Sequence, residues 1–125
     1  MAKPLTIVGL GEAVFDIFPD KEVLGGTSLN VAVQAHQLLC PLGGHGVLYS
    51  RIGNDDLGER LQAEFRVRDL PLDFIQVDMN KPTGRVLVSI KEEAPSYEIV
   101  VDTAWDHLEF TEHEIELAGK CNAVS

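Results

Sequence analysis

Gly25-Gly26-Thr27-Ser28-Leu29-Asn30 opens an apolar-rich segment that runs on to Leu39. Its spacing predicts a helix with Val31, Ala35, Leu38 and Leu39 on a packing face and Asn30, Gln34 and Gln37 in a polar line. Glycine permits close approach that any Cβ would block. A helix N-terminus presents unsatisfied N–H donors to whatever lies in front of it. Two glycines at that spot admit a small polar ligand resting on bare backbone. They equally admit an ordinary turn, with Thr27 or Ser28 as the helix cap.

The flanking segments place this helix in a larger pattern. Leu5-Thr6-Ile7-Val8-Gly9 is a short apolar run bounded by Pro4 and glycines, as a buried strand would be. Ala13 to Phe18 reads as extended, with Val14, Asp16 and Phe18 on one face and Ala13, Phe15 and Ile17 on the other. Pro41 and the cluster Gly43-Gly44-His45-Gly46 close the helix, and Val47 to Ile52 reads as the next strand. Gly53-Asn54-Asp55-Asp56-Leu57-Gly58-Glu59 starts a second helix, in which Asp56 and Glu59 fit a capping box. Leu57, Leu61 and Phe65 give it a core stripe. After Pro71, Phe74 to Val77 is another strand. Strand–helix–strand–helix–strand predicts an α/β fold, a parallel sheet covered by helices.

Arg85 to Ile90 and Tyr97 to Val101 are β-rich runs joined by a short polar loop containing Pro95. They predict a hairpin, hence a small antiparallel annex on the α/β body. Thr111 to Ala118 is a predicted helix with Thr111 as cap and Glu114 three residues on, and Asn122 to Ser125 enters a further strand.

At 125 residues the chain can bury one core, and 45% hydrophobic with 24% charged residues is ordinary globular composition. Its formal net charge is −10, and Glu92 to Glu116 holds nine carboxylates without a Lys or Arg. Such a surface repels phosphate backbones, so nucleic-acid binding is not expected, and the run reads as a solvated acidic face. No apolar run approaches the roughly 18 residues of a membrane span. Met1-Ala2-Lys3-Pro4 lacks the features of a secretory signal, and Cys40 and Cys121 have no metal or redox spacing. These features point to a cytoplasmic protein with free thiols.

Asp16 stands in an apolar run, where an unpaired carboxylate is costly. Its partner is a buried arginine or backbone N–H groups, or else adjacent hydroxyls of a ligand; the residue alone does not choose. Asn30 can donate and accept as a sugar hydroxyl requires, or can simply cap or face solvent. Gly9-Leu10-Gly11 begins like a dinucleotide fingerprint, but Val14 occupies the sixth position of the pattern, so that reading is rejected. His107 and His113 lie among acids without metal-ligand spacing and read as surface residues. His36 and His45 have no recognisable base or nucleophile partner.

Gly25-Gly26-x-x-x-Asn30, Gly53-Asn54-Asp55-Asp56-Leu57-Gly58, Pro82-Thr83-Gly84-Arg85-Val86 and Ala104-Trp105-Asp106 fall in order and spacing. With these segments the chain resembles the N-terminal part of a ribokinase-like (PfkB-type) carbohydrate kinase, most similar to bacterial fructokinases. Thr27-Ser28-Leu29 departs from the family's more usual small or proline-containing triplet. The resemblance covers residues 1–125 and implies a Rossmann-like body with a β-lid, here about residues 13–23 and 84–101. It implies a sugar held by Asp16, Gly25, Gly26 and Asn30 under lid side chains Val86, Tyr97 and Ile99. ATP and Mg2+ are the implied cofactors of the complete enzyme. The family's catalytic base and its Gly-Ala-Gly-Asp anion hole lie in a C-terminal, nucleotide-binding half that these residues do not include. This chain alone is therefore expected to hold no nucleotide and to be inactive. Homo-oligomers through the lid strands or an open sheet edge are expected. Two other readings stay open: a non-catalytic module that binds sugar or assembles through its lid strands, and a kinase of the same fold acting on a nucleoside or a keto sugar acid.

Overall fold

The computed structural model describes residues 5–91 and 93–125. The lead-in Met1-Ala2-Lys3-Pro4 and Glu92, first residue of the acidic run, lie outside the described residues. In chain order the elements are β1 (Thr6–Leu10), β2 (Val14–Ile17), β3 (Glu22–Gly25), α1 (Thr27–Leu39), β4 (His45–Gly53), α2 (Asp56–Val67), β5 (Ile75–Asp78), β6 (Gly84–Lys91), β7 (Ala94–Ile99), α3 (Glu112–Lys120) and β8 (Ala123–Val124). Short 3-10 helices cover Cys40–Leu42 and Ala104–His107.

The body is a parallel sheet in the order β5-β4-β1-β8, flanked by the helices. The α/β prediction holds, and most predicted elements fall within a residue or two of the observed ones. The packing face of α1 does not. Ser28, Leu29, Ala32 and His36 are its buried residues, whereas Leu38 is 75% exposed. The sheet explains the shift. A Cβ at Gly9 would collide with the Ser28 carbonyl oxygen, and one at Gly46 with the Ala32 carbonyl oxygen and His36 N. Glycines in β1 and β4 thus let the small-residue side of α1 lie directly on the strands, and Gly46 N–H donates to His36 Nδ1 at 3.1 Å. Leu29 and Ala32 then join Phe15, Leu48, Ile52, Leu61 and Phe65 in one apolar cluster.

The second sheet runs β3-β2-β6-β7. Its outer pairs are antiparallel, but β2 and β6 are parallel, so the sheet is mixed where a purely antiparallel annex was predicted. A parallel pair needs a long crossover, and the chain between β2 and β6 supplies one through the body. Pro95, predicted in the turn, lies inside β7 opposite Ile90. Proline lacks an N–H, and an edge strand tolerates it because its outer side needs no donor.

The helix caps show one predicted and one displaced residue. Thr111 and Glu114 cap α3 as predicted, with Glu114 buried and also bonded to Gln76 Nε2 at 2.8 Å. At α2 the cap is Asp55, not Asp56, and it accepts from Gly58 N–H at 2.9 Å. The same carboxylate takes Thr83 N–H (2.9 Å) and Thr83 Oγ1–H (2.6 Å), and Thr83 Oγ1 accepts from Gly53 N–H (2.9 Å). Among the described residues Asp56 accepts no such hydrogen bond. The Gly53–Gly58 and Pro82–Val86 segments therefore lock onto each other, fixing the first residues of β6 to the body.

Candidate functional site

Side chains of cross-strand partners share a face of a sheet. Asp16 is partnered by Val23 on one side and Val86 on the other, and Val86 by Ile99. Val23, Asp16, Val86 and Ile99 thus form one row across all four strands of the second sheet. Tyr97, two residues from Ile99 and opposite Val88, lies on the same face. The opposite face carries Phe15 and Leu24 into the body core. Arg85 partners Phe15 and so belongs to that core-side face, away from Asp16.

Asp16 is half-buried. A Cβ at Gly25 would stand 3.2 Å from Asp16 Oδ2, so the missing side chain leaves the carboxylate open toward the start of α1. Among the described residues the salt bridges of Arg51, Arg60, Arg68, Lys81 and His107 go to other carboxylates. The buried arginine considered as a structural partner is not there.

Gly26 is the N-cap of α1, with φ 108° and ψ 138°, a conformation that favours glycine. Neither Thr27 nor Ser28 caps the helix. Ser28 Oγ donates to the Leu10 carbonyl at 2.7 Å, and Thr27 N–H donates to Glu12 Oε1 at 3.2 Å. Glu12 went unnoticed in the sequence because it lies fifteen positions before its partner, outside any local capping pattern. Its carboxylate also suits the positive end of the helix dipole.

Asn30 is exposed in the first turn of α1, its N–H bonded to the Gly26 carbonyl at 2.9 Å. It lines an open cleft of about 520 Å³ between α1, α2 and β3, with Leu24, Leu29, Arg60 and Phe65. That cleft includes Val23 of the Asp16 row but not Asp16, Val86, Tyr97 or Ile99. The structure thus gathers Asp16, Gly25, Val86, Tyr97 and Ile99 on one face and sets Asn30 at its β3 margin. His107 and His113 are exposed, the first 2.6 Å from Asp102 Oδ1 and the second stacked 4.3 Å from Phe74.

A family model described as pfkB family carbohydrate kinase matches residues 12–124. The chain belongs to this family. It is 30% identical over 101 residues to an uncharacterised sugar kinase of Pyrococcus horikoshii, covering 81% of this chain and 31% of that one. The structure of that archaeal kinase in complex with ATP superposes with a TM-score of 0.64 at 28% identity, over 81% of this chain and 35% of that chain. A fructokinase of Halothermothrix orenii gives a TM-score of 0.73 at 25% identity, over 91% of this chain and 43% of that chain. The pfkB chain described here thus spans about a third of the length of the curated relative it matches. Among its described residues no helix is long and apolar enough to cross a membrane, and no group of three His, Cys, Asp or Glu could hold a metal ion.

Proposed function

We propose that this chain supplies the sugar-holding part of an ATP-dependent carbohydrate kinase, with fructose or a related ketose as the sugar and a hydroxymethyl oxygen as phosphoryl acceptor. Residues 1–125 are then the N-terminal, sugar-binding part of the family fold, and the second sheet is its lid. The observation that carries this reading is the Asp16 carboxylate, half-buried, opened by Gly25 and without a cationic partner among the described residues. A carboxylate so placed accepts from two adjacent hydroxyls. Gly25 and Gly26 let the ring approach backbone, Asn30 adds a side chain that donates and accepts, and Val86, Tyr97 and Ile99 cover the ring from the lid. Arg85 on the opposite face supports a neutral sugar over a sugar acid.

ATP and Mg2+ are the cofactors this function calls for, and the residues present do not fit them. The space beside Gly9 is filled by the Ser28 carbonyl, an acceptor where a phosphate would need donors. The phosphoryl-transfer groups belong to the family's C-terminal half, and a positioned base and anion-stabilising donors are indispensable to that step. With fructose and ATP, this 125-residue chain is expected to release no ADP above background in a coupled assay; clear turnover would overturn the assignment of catalysis to the other half.

Sugar binding is testable on the chain itself. Asp16→Asn should weaken fructose binding by roughly tenfold or more, the worth of a charge-assisted hydrogen bond, while the melting temperature stays near wild type. Equal calorimetric affinities for the two proteins would return Asp16 to a structural role. Ile90, Tyr97 and Ile99 are all more than half exposed on the lid, an apolar surface that favours self-association through its strands.

A further inference from the structure

The row next to Asp16 on the same face of the second sheet is nearly bare. Gly25, Val14 and Gly84 are cross-strand partners, so a single side chain rises between two glycines. Trp105 lies against this row: a Cβ on Gly84 would stand 2.7 Å from Trp105 Cδ1 and 2.7 Å from Val14 Cγ1. In an indole Cδ1 is bonded to Nε1, so the edge turned to the row is the one bearing the N–H. Among the described residues this Nε1 is buried without a hydrogen-bond partner. The group can only donate, and an unsatisfied buried donor costs about 1–3 kcal/mol. Asp16 lies two residues along β2 from Val14, about 7 Å on the same face. When ionised it can only accept.

A donor and an acceptor thus belong to adjacent rows of one sheet face, rows about as far apart as a monosaccharide ring is wide. We propose that Trp105 is a ligand-contacting specificity residue, whose indole N–H donates to one hydroxyl oxygen of the sugar that Asp16 holds by others. The inference rests on the sugar-binding reading above. It adds a fixed donor, which favours a neutral polyhydroxylated ring. It also gives Gly84 a role: only a residue without a side chain leaves the indole edge its place on the sheet. Because the N–H is covered by protein, a hydroxyl that reaches it must displace its cover, and the surroundings of the indole must change on binding.

Trp105 is the chain's only tryptophan, so its emission reports that change directly. The 125-residue chain is titrated with D-fructose and each monodeoxy-fructose, by calorimetry and fluorescence in parallel. The expected result is a saturable emission change with the calorimetric midpoint, lost for one deoxy sugar and kept for the others. Trp105→Phe should melt close to wild type, bind fructose roughly tenfold more weakly, and bind that same deoxy sugar as wild type does. Fructose heat with no emission change, or with one emission change common to every deoxy sugar, overturns the role of Trp105 and leaves the sugar-binding reading standing. So does fructose affinity unchanged in a folded Trp105→Phe. Absence of fructose heat in the wild-type chain overturns both.

Discussion

Alanine at Gly46 is expected to cost the chain more stability than any other single substitution proposed for it. The new methyl group would collide with the Ala32 carbonyl oxygen and His36 N, and stand 2.9 Å from His36 Cα. All three are backbone atoms of α1, so no side-chain rotation relieves the clash. The helix must move off the sheet instead, breaking the Gly46 N–H to His36 Nδ1 bond and loosening Leu29 and Ala32 against Leu48. Overpacking of this kind costs about 3 kcal/mol or more, a large share of the roughly 5–15 kcal/mol that holds a domain together. Gly119→Ala is the control. It lies in α3 with nothing within 4 Å of its added Cβ, so the methyl should be neutral or slightly stabilising. Thermal unfolding followed by circular dichroism decides the matter; a Gly46→Ala protein melting within about 2 °C of wild type would show that α1 is not held by that contact.

Thr83→Val should produce the second large loss, about 2–3 kcal/mol. Thr83 is fully buried, and valine keeps its shape but removes the hydroxyl. The buried Gly53 N–H then loses its acceptor, and the half-buried Asp55 carboxylate loses one of its donors. A pH signature separates this lock from simple packing. Burial pushes the Asp55 carboxyl up, but hydrogen bonds from the Thr83 side chain and from the Thr83 and Gly58 N–H groups, with Arg85 nearby, outweigh burial and hold it below its ordinary value. A carboxyl depressed on folding stabilises the native state above its unfolded pKa of about 3.9, and that stability fades as pH falls through the folded value. The gap between wild type and Thr83→Val should therefore be widest near neutral pH and narrow below about pH 4. A gap independent of pH in urea titrations would mean that the valine acts through packing alone.

Most of the body was legible from period and punctuation. Leu5–Gly9, Val47–Ile52 and Phe74–Val77 announced strands β1, β4 and β5, and Leu57, Leu61 and Phe65 set the inner side of α2. What misled was any reading that counted apolar residues without knowing the opposing surface. Leu38 and Leu39 looked like the packing side of α1, yet the sheet offers glycines where that helix crosses it, and Ser28, Ala32 and His36 fit there. Asp56 read as the cap of α2, but the cap is Asp55, held there by Thr83 twenty-eight positions later. The parallel pairing of β2 with β6 and the reach of Glu12 to Thr27 likewise depend on distant partners. At the site, Asp16 and the glycine pair stood out by chemistry alone. The row that joins Asp16 to Val86 and Ile99 exists only through strand register. Trp105 carried no sequence signal beyond its place in the last of the four spaced segments.

The parallel β2–β6 pair also dictates when the Asp16 face can exist. Thr6 and His45 are 39 residues apart in sequence, but Val14 and Gly84 are 70 apart. Closing the longer loop costs more entropy, and pairings of long sequence separation form late. On the ribosome, where chains grow at about 5–20 residues per second, β2 and β3 emerge several seconds before their central partner. Phe15 and Leu24 wait uncovered on one side of that hairpin, while on the other Asp16 has only Val23 in its row. The proposed ligand-facing surface is thus among the last parts of the molecule to be assembled, complete only after β6 has docked.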